Sequence, residues 1–237
     1  MSVENIVEEF YRAFSRVDES ELDQLAETFC STDVRFCVAH PINDLSGPAM
    51  VAEFFLQPLK KSLPDLERRP FIVLSEAREQ SGWTQALAGE NEDAVWVDST
   101  GYFVGTFTED LFGIPASGRT LYLRFTEMLK IEEGKIVECY LIPDFIDAMN
   151  QVGVNPLRKS LGHDALVMPP ATMDGLNPSE CNPAQSRKSA QLVLDMLDCL
   201  GRFDGKRLDS MDLENYWHED FLWYGPASIG TSRGIEG

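Results

Sequence analysis

The feature that most constrains the fold of this chain is a partial internal repeat. Arg16-Val17-Asp18 recurs as Arg202-Phe203-Asp204, and further on Phe29, Asp33, Phe36 and Gly47 correspond to Tyr216, Asp220, Trp223 and Gly234. Self-similarity at a nearly constant offset indicates repeated structural units. We therefore predict one complete unit over residues 1–153, a Pro- and Gly-rich linker over 154–182, and the beginning of a second, incomplete unit over 183–237. The partial second copy leads us to expect a fragment of a longer protein.

The first unit is predicted to begin with helices and to continue as a sheet. Apolar residues at helical spacing indicate helices over 6–17, 21–29 and 48–63, the last with a kink at Pro58. Strands are predicted over 34–38, 71–77, 94–108, 119–132 and 135–144, and a short helix over 145–152. The stretch 83–93 is left unassigned. The second unit is predicted to hold two helices, the first over 184–200, and then one strand. This order predicts an α+β fold with helices on one face of a curved antiparallel sheet.

Charge and composition exclude several classes of partner. The chain carries 39 acidic and 20 basic residues, for a formal net charge of −19. Such a surface repels phosphate backbones and anionic membranes, so neither nucleic acid nor a membrane is an expected partner. The N-terminus lacks the basic and apolar regions of a signal peptide, and no apolar run reaches ~18 residues. We therefore expect a cytoplasmic protein.

The cysteines and histidines do not support a metal site or a disulfide framework. The five cysteines are scattered and form no CxxC pair. His40, His163 and His218 lie in separate segments. No P-loop, GxGxxG, GxSxG or HExxH motif is present, so nucleotide-binding, serine-hydrolase and zinc-protease functions lack a sequence basis. The sequence predicts no metal site.

Asp144, at the end of the last predicted strand, is the residue best suited to chemistry. Strand alternation places it on one side with Tyr140 and Ile142. A carboxyl group among such apolar neighbours has a raised pKa, which suits a general acid or base near neutral pH. Asp is also a preferred helix N-cap, so Asp144 could instead begin the helix over 145–152. Its position alone slightly favours the N-cap role for Asp144.

Other candidate residues lie on the long strands and at His40. Alternation places Trp96, Asp98 and Tyr102 on one face of their strand, and Tyr122 and Arg124 on one face of the next. Asp98 could pair with Arg124, lie at a solvated edge or enter a pocket. The aromatic residues are more typical of a core than of a ligand site. For His40, which precedes Pro41, a hydrogen-bonding structural role is somewhat favoured over proton transfer.

An ordered series of motifs runs through the first unit. It consists of Ala39-His40-Pro41, Gly47, Pro64-Asp65-Leu66, the strand 101–107, the turn 113–119, Gly134–Glu138, Asp144 and Gln151-Val152-Gly153. In this order the motifs resemble those of the SnoaL-like polyketide cyclases, also called ester cyclases. The stretch Trp223–Thr231 is similar to a motif in tandem members of that family.

The resemblance implies a nuclear-transport-factor-2-like cone, in which a curved sheet surrounds a pocket that helices close. It also implies that Asp144 removes a proton beside a carbonyl group, after which the enolate closes a ring by aldol attack. No cofactor is implied, because an apolar pocket with one tuned carboxylate supplies the base and the desolvation. The histidine that many members carry in the central strand is here Tyr102 or Phe107, depending on the alignment. Tyr102 can donate a hydrogen bond to an enolate.

The predicted site follows from these arguments together. Asp144 and Tyr102 are its expected catalytic residues, and the expected substrate contacts are His40, Trp96, Phe107, Tyr122, Tyr140 and Ile142. The expected substrate is a hydrophobic, polyketide-like carbonyl compound, and the expected assembly is a homo-oligomer such as a dimer. The expected activity is that of a cofactor-independent cyclase or isomerase. The alternative is a non-catalytic small-molecule-binding or dimerisation domain on the same fold, since one fold hosts many functions.

Overall fold

The computed structural model of the chain describes residues 3–75, 94–154, 157–162 and 182–235. The unassigned stretch 83–93 and most of the predicted linker lie outside the described residues. Elements are numbered in chain order. The helices of the N-terminal part are α1 (Val3–Arg16), α2 (Leu22–Phe29), α3 (Pro48–Val51), α4 (Gln57–Ser62) and α5 (Phe145–Val152). Its strands are β1 (Cys30–Val38), β2 (Asp44–Ser46), β3 (Glu67–Ser75), β4 (Val95–Thr106), β5 (Thr120–Glu132) and β6 (Lys135–Pro143).

The six strands form one curved sheet in the order β2-β1-β6-β5-β4-β3. The predicted α+β fold is therefore confirmed, and β5 and β6 form a hairpin. One correction concerns strand direction, because β1 pairs with β6 in parallel whereas the other pairs are antiparallel. The hairpin fixes the direction of β6, and β1 joins the free edge of that hairpin in the same direction. The sheet is thus predominantly antiparallel.

Phenylalanine side chains fill much of the space between the helices and the sheet. Phe10 and Phe14 of α1 and Phe103 and Phe125 of the sheet are fully buried. The rings of Phe103 and Phe125 stack with their centres 4.4 Å apart. Close packing of large rings leaves little room for a ligand at this level of the fold. A cavity for a small molecule must therefore be sought at the ends of the strands.

The helix predicted over 48–63 is divided by a π-helical turn. The turn covers Ala52–Leu56, between α3 and α4. Pro58 follows as the second residue of α4. Proline has no N–H group and its ring displaces the carbonyl one turn earlier, so a regular α-helix cannot continue through it. The predicted kink thus appears as a π turn, a common way for a helix to absorb such an irregularity.

The C-terminal part contains one long helix and little sheet. Helix α6 spans Pro183–Leu200, and two short 3₁₀ turns, Leu208–Met211 and Leu213–Asn215, follow it. Strands β7 (Leu222–Trp223) and β8 (Ser232–Arg233) pair as a small hairpin. The sequence predicted a second α-helix before the strand. Instead, Asp212 adopts a left-handed conformation with φ of 49° between the two 3₁₀ turns, which a continuous helix does not permit.

Two glycines bring residues 157–162 against the C-terminal part. The Gly162 N–H donates to the Ile229 carbonyl at 3.1 Å. A Cβ atom on Gly230 would lie 2.5 Å from the carbonyl carbon of Gly162, and Gly230 has φ of 89°, so both space and backbone conformation require glycine. Across the described residues, none of the helices has the length and apolar character needed to cross a membrane.

Candidate functional site

A cavity of about 530 Å³ lies where β1 and β6 end and α5 begins. We call it the Asp144 cavity. Its walls are mainly apolar and include Phe112, Ile114, Phe145, Ile146 and Met149. The side chains with ionisable groups in its lining are Asp144 and the exposed His40. Pro226, from the C-terminal part, completes one wall. Such a cavity, apolar with a few convergent polar groups, is typical of small-molecule sites.

A bulge in the β5–β6 hairpin determines what lies opposite Asp144. The register shifts by one residue between Lys130 and Ile131. As a result Phe125 pairs with Pro143, and the Asp144 N–H donates to the Arg124 carbonyl at 2.8 Å. Without the bulge, Asp144 would stand opposite a different residue of β5. The bulge therefore places the Arg124 guanidinium beside the Asp144 carboxylate.

The Asp144 carboxylate accepts hydrogen bonds from three groups. Its Oδ1 accepts from the Asp147 N–H at 3.0 Å, which makes it the N-cap of α5 and confirms the helix-cap alternative. Its Oδ2 accepts from Arg124 Nη2 at 2.5 Å and from the Ala227 N–H at 2.9 Å. The polar neighbours differ from the apolar surroundings that the sequence predicted. The same carboxylate thus caps a helix, forms an ion pair and faces a cavity.

Arg124 connects the N-terminal site to the C-terminal part. Its side chain is only 10% exposed, and Nη2 donates both to Asp144 and to the Gly225 carbonyl, the latter at 2.9 Å. Within the described residues, the buried Nη1 atom has no hydrogen-bond partner. Pairing with Asp98, one of the alternatives drawn from the sequence, is not seen, because Arg124 lies across from Tyr102 in β4. The sequence indicated Arg124 only as a possible partner of Asp98, and its place beside Asp144 was missed.

Gln151 fixes the orientation of α5 and so of its cap. The Gln151 side-chain amide donates to the Tyr122 carbonyl at 2.8 Å, and its oxygen accepts from the Tyr122 N–H at 3.0 Å. The side chain therefore bonds to β5 as a neighbouring strand would. Gly153 ends the helix in the left-handed conformation with φ of 79°. These contacts hold α5 against the sheet beside the Asp144 cavity.

The structure brings some of the predicted site residues together and separates others. His40, Ile142 and Asp144 line the Asp144 cavity. Tyr102 packs between Phe71 and Tyr122 on the sheet face away from the helices, and Trp96 stacks on Tyr140 with ring centres 6.1 Å apart. Phe107 is fully buried in the core. The predicted residues outside the cavity lining are Trp96, Tyr102, Phe107, Tyr122 and Tyr140.

A second buried carboxylate, Glu127, lies on the helix side of the sheet. Its side chain is 0% exposed. Oε2 accepts from the Tyr11 hydroxyl at 2.6 Å, while Oε1 accepts from the Ser99 hydroxyl at 2.8 Å and pairs with Arg68 Nη2. Burial, with the neighbouring Glu127 charge, raises the pKa of Tyr11 well above its ordinary value, so Tyr11 remains a donor. An acidic residue in an otherwise apolar alternation of β5 was the available sequence signal.

The Glu127 cluster acts as a structural anchor. It joins α1 to three adjacent strands, since Tyr11, Arg68, Ser99 and Glu127 come from α1, β3, β4 and β5. The Arg68 guanidinium also lies over the rings of Tyr11 and Phe125, at 4.7 and 5.1 Å from their centres. With no exposure to solvent and no place in the cavity lining, Glu127 has no route to a substrate. The Asp144 cavity is therefore the better candidate site.

Structural comparison finds solved structures that are similar to this chain in fold. They include a proposed SnoaL-like polyketide cyclase from Jannaschia sp. CCS1, with a TM-score of 0.45 and 16% identity over 65% of this chain and 93% of that one. IdmH from Streptomyces antibioticus, a proposed polyketide cyclase, has a TM-score of 0.46 and 18% identity, over 65% of this chain and 100% of IdmH. AclR from Streptomyces galilaeus, a proposed hydroxylase, has a TM-score of 0.47 and 20% identity, over 66% of this chain and 89% of AclR.

Sequence comparison gives a match to one part of the chain. No curated relative matches the sequence significantly. Residues 88–152 match the family model described as SnoaL-like polyketide cyclase. The matched range covers β4, β5, β6 and α5, and thus includes Arg124, Asp144 and Gln151. Over the segment that builds most of the candidate site, this chain is similar to the SnoaL-like polyketide cyclases.

Proposed function

We propose that this chain is a cofactor-independent enzyme of the cyclase or isomerase type that acts on an apolar small molecule with a carbonyl group. The observation that carries the proposal is the position of Asp144, a carboxylate in the wall of a largely apolar cavity of about 530 Å³. The match of residues 88–152 to polyketide cyclases supports a polyketide-like substrate with several carbonyl groups. An apolar cavity favours such a substrate over a strongly charged one.

The proposed reaction begins with proton transfer to Asp144. Its carboxylate takes a proton from the carbon beside a carbonyl group, and the electron pair of that C–H bond forms an enolate. In a cyclase, the enolate carbon attacks a second carbonyl carbon of the same molecule, forming a C–C bond. The π electrons of that carbonyl move to its oxygen, which takes the proton back from Asp144. In an isomerase, the proton returns to another carbon. Atoms and charge balance without a cofactor.

A second candidate function is non-catalytic binding of an apolar small molecule in the same cavity. The observation favouring it is that Asp144 already accepts hydrogen bonds from Asp147, Arg124 and Ala227. A carboxylate held by three donors can serve the fold alone. In that case the cavity binds a ligand, and Asp144 contributes nothing to a reaction.

Proton exchange in a simple ketone separates the two functions. We expect the full chain to exchange the methyl protons of acetophenone in D₂O, followed by ¹H NMR, faster than buffer does. In Asp144→Asn the exchange rate should fall by roughly 10²-fold or more, because an amide cannot act as the base. Asn remains a good N-cap, so α5 should still form, and circular dichroism checks the fold.

Asp147→Asn is the matched control. Asp147 is buried on the same helix, one turn from Asp144, but is not part of the cavity lining. The control should exchange acetophenone protons at the wild-type rate. If Asp144→Asn binds acetophenone and exchanges its protons as fast as the wild type does, the enzyme proposal is wrong and the binding function takes its place.

A further inference from the structure

We propose that residues Tyr224–Ala227 act as an internal ligand of the Arg124–Asp144 pair, occupying the place where Arg124 binds the carbonyl oxygen of a substrate. We call these residues the 224–227 segment. The inference rests on the proposed function, because it concerns the same site. It adds two elements: a carbonyl-binding role for Arg124, and a closed state in which the chain's own backbone excludes the substrate.

Two backbone groups of the segment bind the two members of the ion pair. The Gly225 carbonyl accepts from Arg124 Nη2 at 2.9 Å, and the Ala227 N–H donates to Asp144 Oδ2 at 2.9 Å. Arg124 therefore holds a carbonyl oxygen while Asp144 holds a hydrogen. A ketone about to lose a proton presents the same two groups, a carbonyl oxygen and a nearby hydrogen. The peptide backbone is thus a chemical stand-in for the proposed substrate.

Arg124 has donor capacity beyond its present contacts. Its Nη1 atom is buried and has no hydrogen-bond partner within the described residues. An unsatisfied buried donor is unfavourable, so the position favours a ligand that brings an acceptor. With the segment displaced, Nη1 and Nη2 could both donate to one carbonyl oxygen. A guanidinium in this position stabilises the negative charge that develops on an enolate oxygen. The substrate class that fits is an apolar ketone or a chain of ketones.

The closed state occupies both acceptor positions of Asp144 Oδ2, the oxygen that faces Arg124. Oδ1 is used by the cap and Oδ2 by Arg124 and Ala227. Gly225 and Ala227 are themselves buried, so the segment shields the ion pair from solvent. Proton transfer to Oδ2 therefore requires the Ala227 N–H to leave. The segment determines when this oxygen becomes available as a base.

Local backbone hydrogen bonds close the segment into a loop. The Pro226 carbonyl accepts from the N–H groups of Ile229 and Gly230 at 3.2 and 2.8 Å. The Tyr224 ring also lies 6.5 Å from that of Phe71. A loop closed by local bonds opens at a lower free energy than the core of a protein does. Opening without global unfolding is therefore feasible.

Substitution of Ala227 by proline tests the inference in the full-length chain. Proline has no N–H, so Ala227→Pro removes the bond to Asp144 and should release the segment. A hydrogen bond to a charged group is worth ~1.5–3 kcal/mol, so the Kd of acetophenone, measured by NMR titration, should fall by roughly ten- to a hundredfold. Ala227→Ser keeps the N–H and should retain the closed state. Adding Arg124→Gln to Ala227→Pro should abolish the gain in affinity.

The outcomes distinguish this inference from the proposed function. Tighter binding by Ala227→Pro without proton exchange supports the internal ligand and contradicts the enzyme proposal. Proton exchange by the wild type with unchanged affinity in Ala227→Pro supports the enzyme and overturns the internal ligand. If Ala227→Pro does not fold by circular dichroism, Tyr224→Ala, which removes the contact with Phe71, is the replacement variant. Unchanged affinity in that variant also overturns the inference.

Discussion

Helices α1 and α6, which the sequence pairs as the same element of two repeats, have opposite environments. On α1, Val7, Phe10 and Phe14 are at most 2% exposed. On α6, Val193 and Leu197 are 43% and 45% exposed, and Cys199 is the buried residue among the side chains described for this helix. Both helices carry an apolar stripe. The stripe becomes core only where a sheet is present to cover it, because helix stability in proteins comes mainly from packing.

The strands that follow these helices differ in the same way. β1 has nine residues and pairs with β2 on one side and β6 on the other. β7, which corresponds to part of β1, has two residues and pairs only with β8 among the described strands. The partner β6 comes from a hairpin about a hundred residues after β1. A strand like β1 thus needs a partner strand that is distant in sequence. The described C-terminal residues contain no such partner for β7.

The clearest difference between α1 and α6 is that α1 bonds to the Glu127 cluster. Loss of this cluster should have the largest effect on the free energy of unfolding. Tyr11 bonds to Glu127, whereas the corresponding residue of α6 is the exposed Leu197. Glu127→Gln leaves the buried Arg68 guanidinium without its counter-charge, so we expect the free energy of unfolding to fall by about 3 kcal/mol. Urea unfolding followed by circular dichroism measures this change.

The control for Glu127→Gln is an exposed ion pair of the C-terminal part. Asp220→Asn removes the partner of Arg233, and both side chains of this pair are mostly exposed. Such pairs contribute little, so the change in unfolding free energy should stay within ~0.5 kcal/mol. Equal effects of the two substitutions would show that the Glu127 cluster does not anchor α1.

Much of the fold could be predicted from the sequence, because helix and strand periodicity is a local property. The predicted strand over 135–144 and the observed β6 (Lys135–Pro143) nearly coincide. The Pro58 irregularity could also be predicted, since proline breaks helices regardless of their surroundings. The loss of the predicted second helix of the C-terminal part could not be predicted, because it rests on one left-handed residue, Asp212, that composition does not reveal.

The candidate site was less predictable because it depends on register and on distant chain. Asp144 could be identified from its place at a strand end, and its cap role from the helix that follows. The neighbour Arg124 depends on a one-residue bulge, which shifts every cross-strand pair beyond it. Gly225 and Ala227 come from about eighty residues away, and no local pattern indicates that contact. Phe107 was placed by alignment, whereas the structure buries it in the core.

The same substitution, valine to alanine, can be made at a corresponding position in each of the two helices. Val7 and Val193 occupy corresponding positions, the first buried and the second exposed. Val7→Ala removes two methylene equivalents and leaves a small cavity, so the unfolding free energy should fall by about 2 kcal/mol. Val193→Ala should change it by less than ~0.5 kcal/mol. Urea unfolding of both variants gives the comparison. A loss of equal size at Val193 would mean that α6 is covered in solution.

The smallest expected effect concerns the acid dependence of stability in the two parts. Hydrogen bonds from the Thr106 side chain and N–H lower the pKa of Asp65 below its ordinary value of 3.8. A hydrogen bond from Arg207 lowers the pKa of Asp209 in the same direction. Asp65 and Thr106 are distant in sequence and meet only in the folded chain. Arg207 and Asp209 are two residues apart, so their pairing persists in part after unfolding.

Only the Asp65 shift should therefore contribute to the pH dependence of unfolding. A folded-state pKa below the unfolded one stabilises the protein above the unfolded pKa of ~3.9, and this stabilisation is lost as the pH falls through the folded pKa. Asp65→Asn should thus reduce the decline in unfolding free energy on acidification from about pH 5 to pH 3. Asp209→Asn should leave that decline unchanged. Urea unfolding at a series of pH values tests both, and a flatter profile in Asp209→Asn would show that the pairing of Arg207 with Asp209 is lost on unfolding.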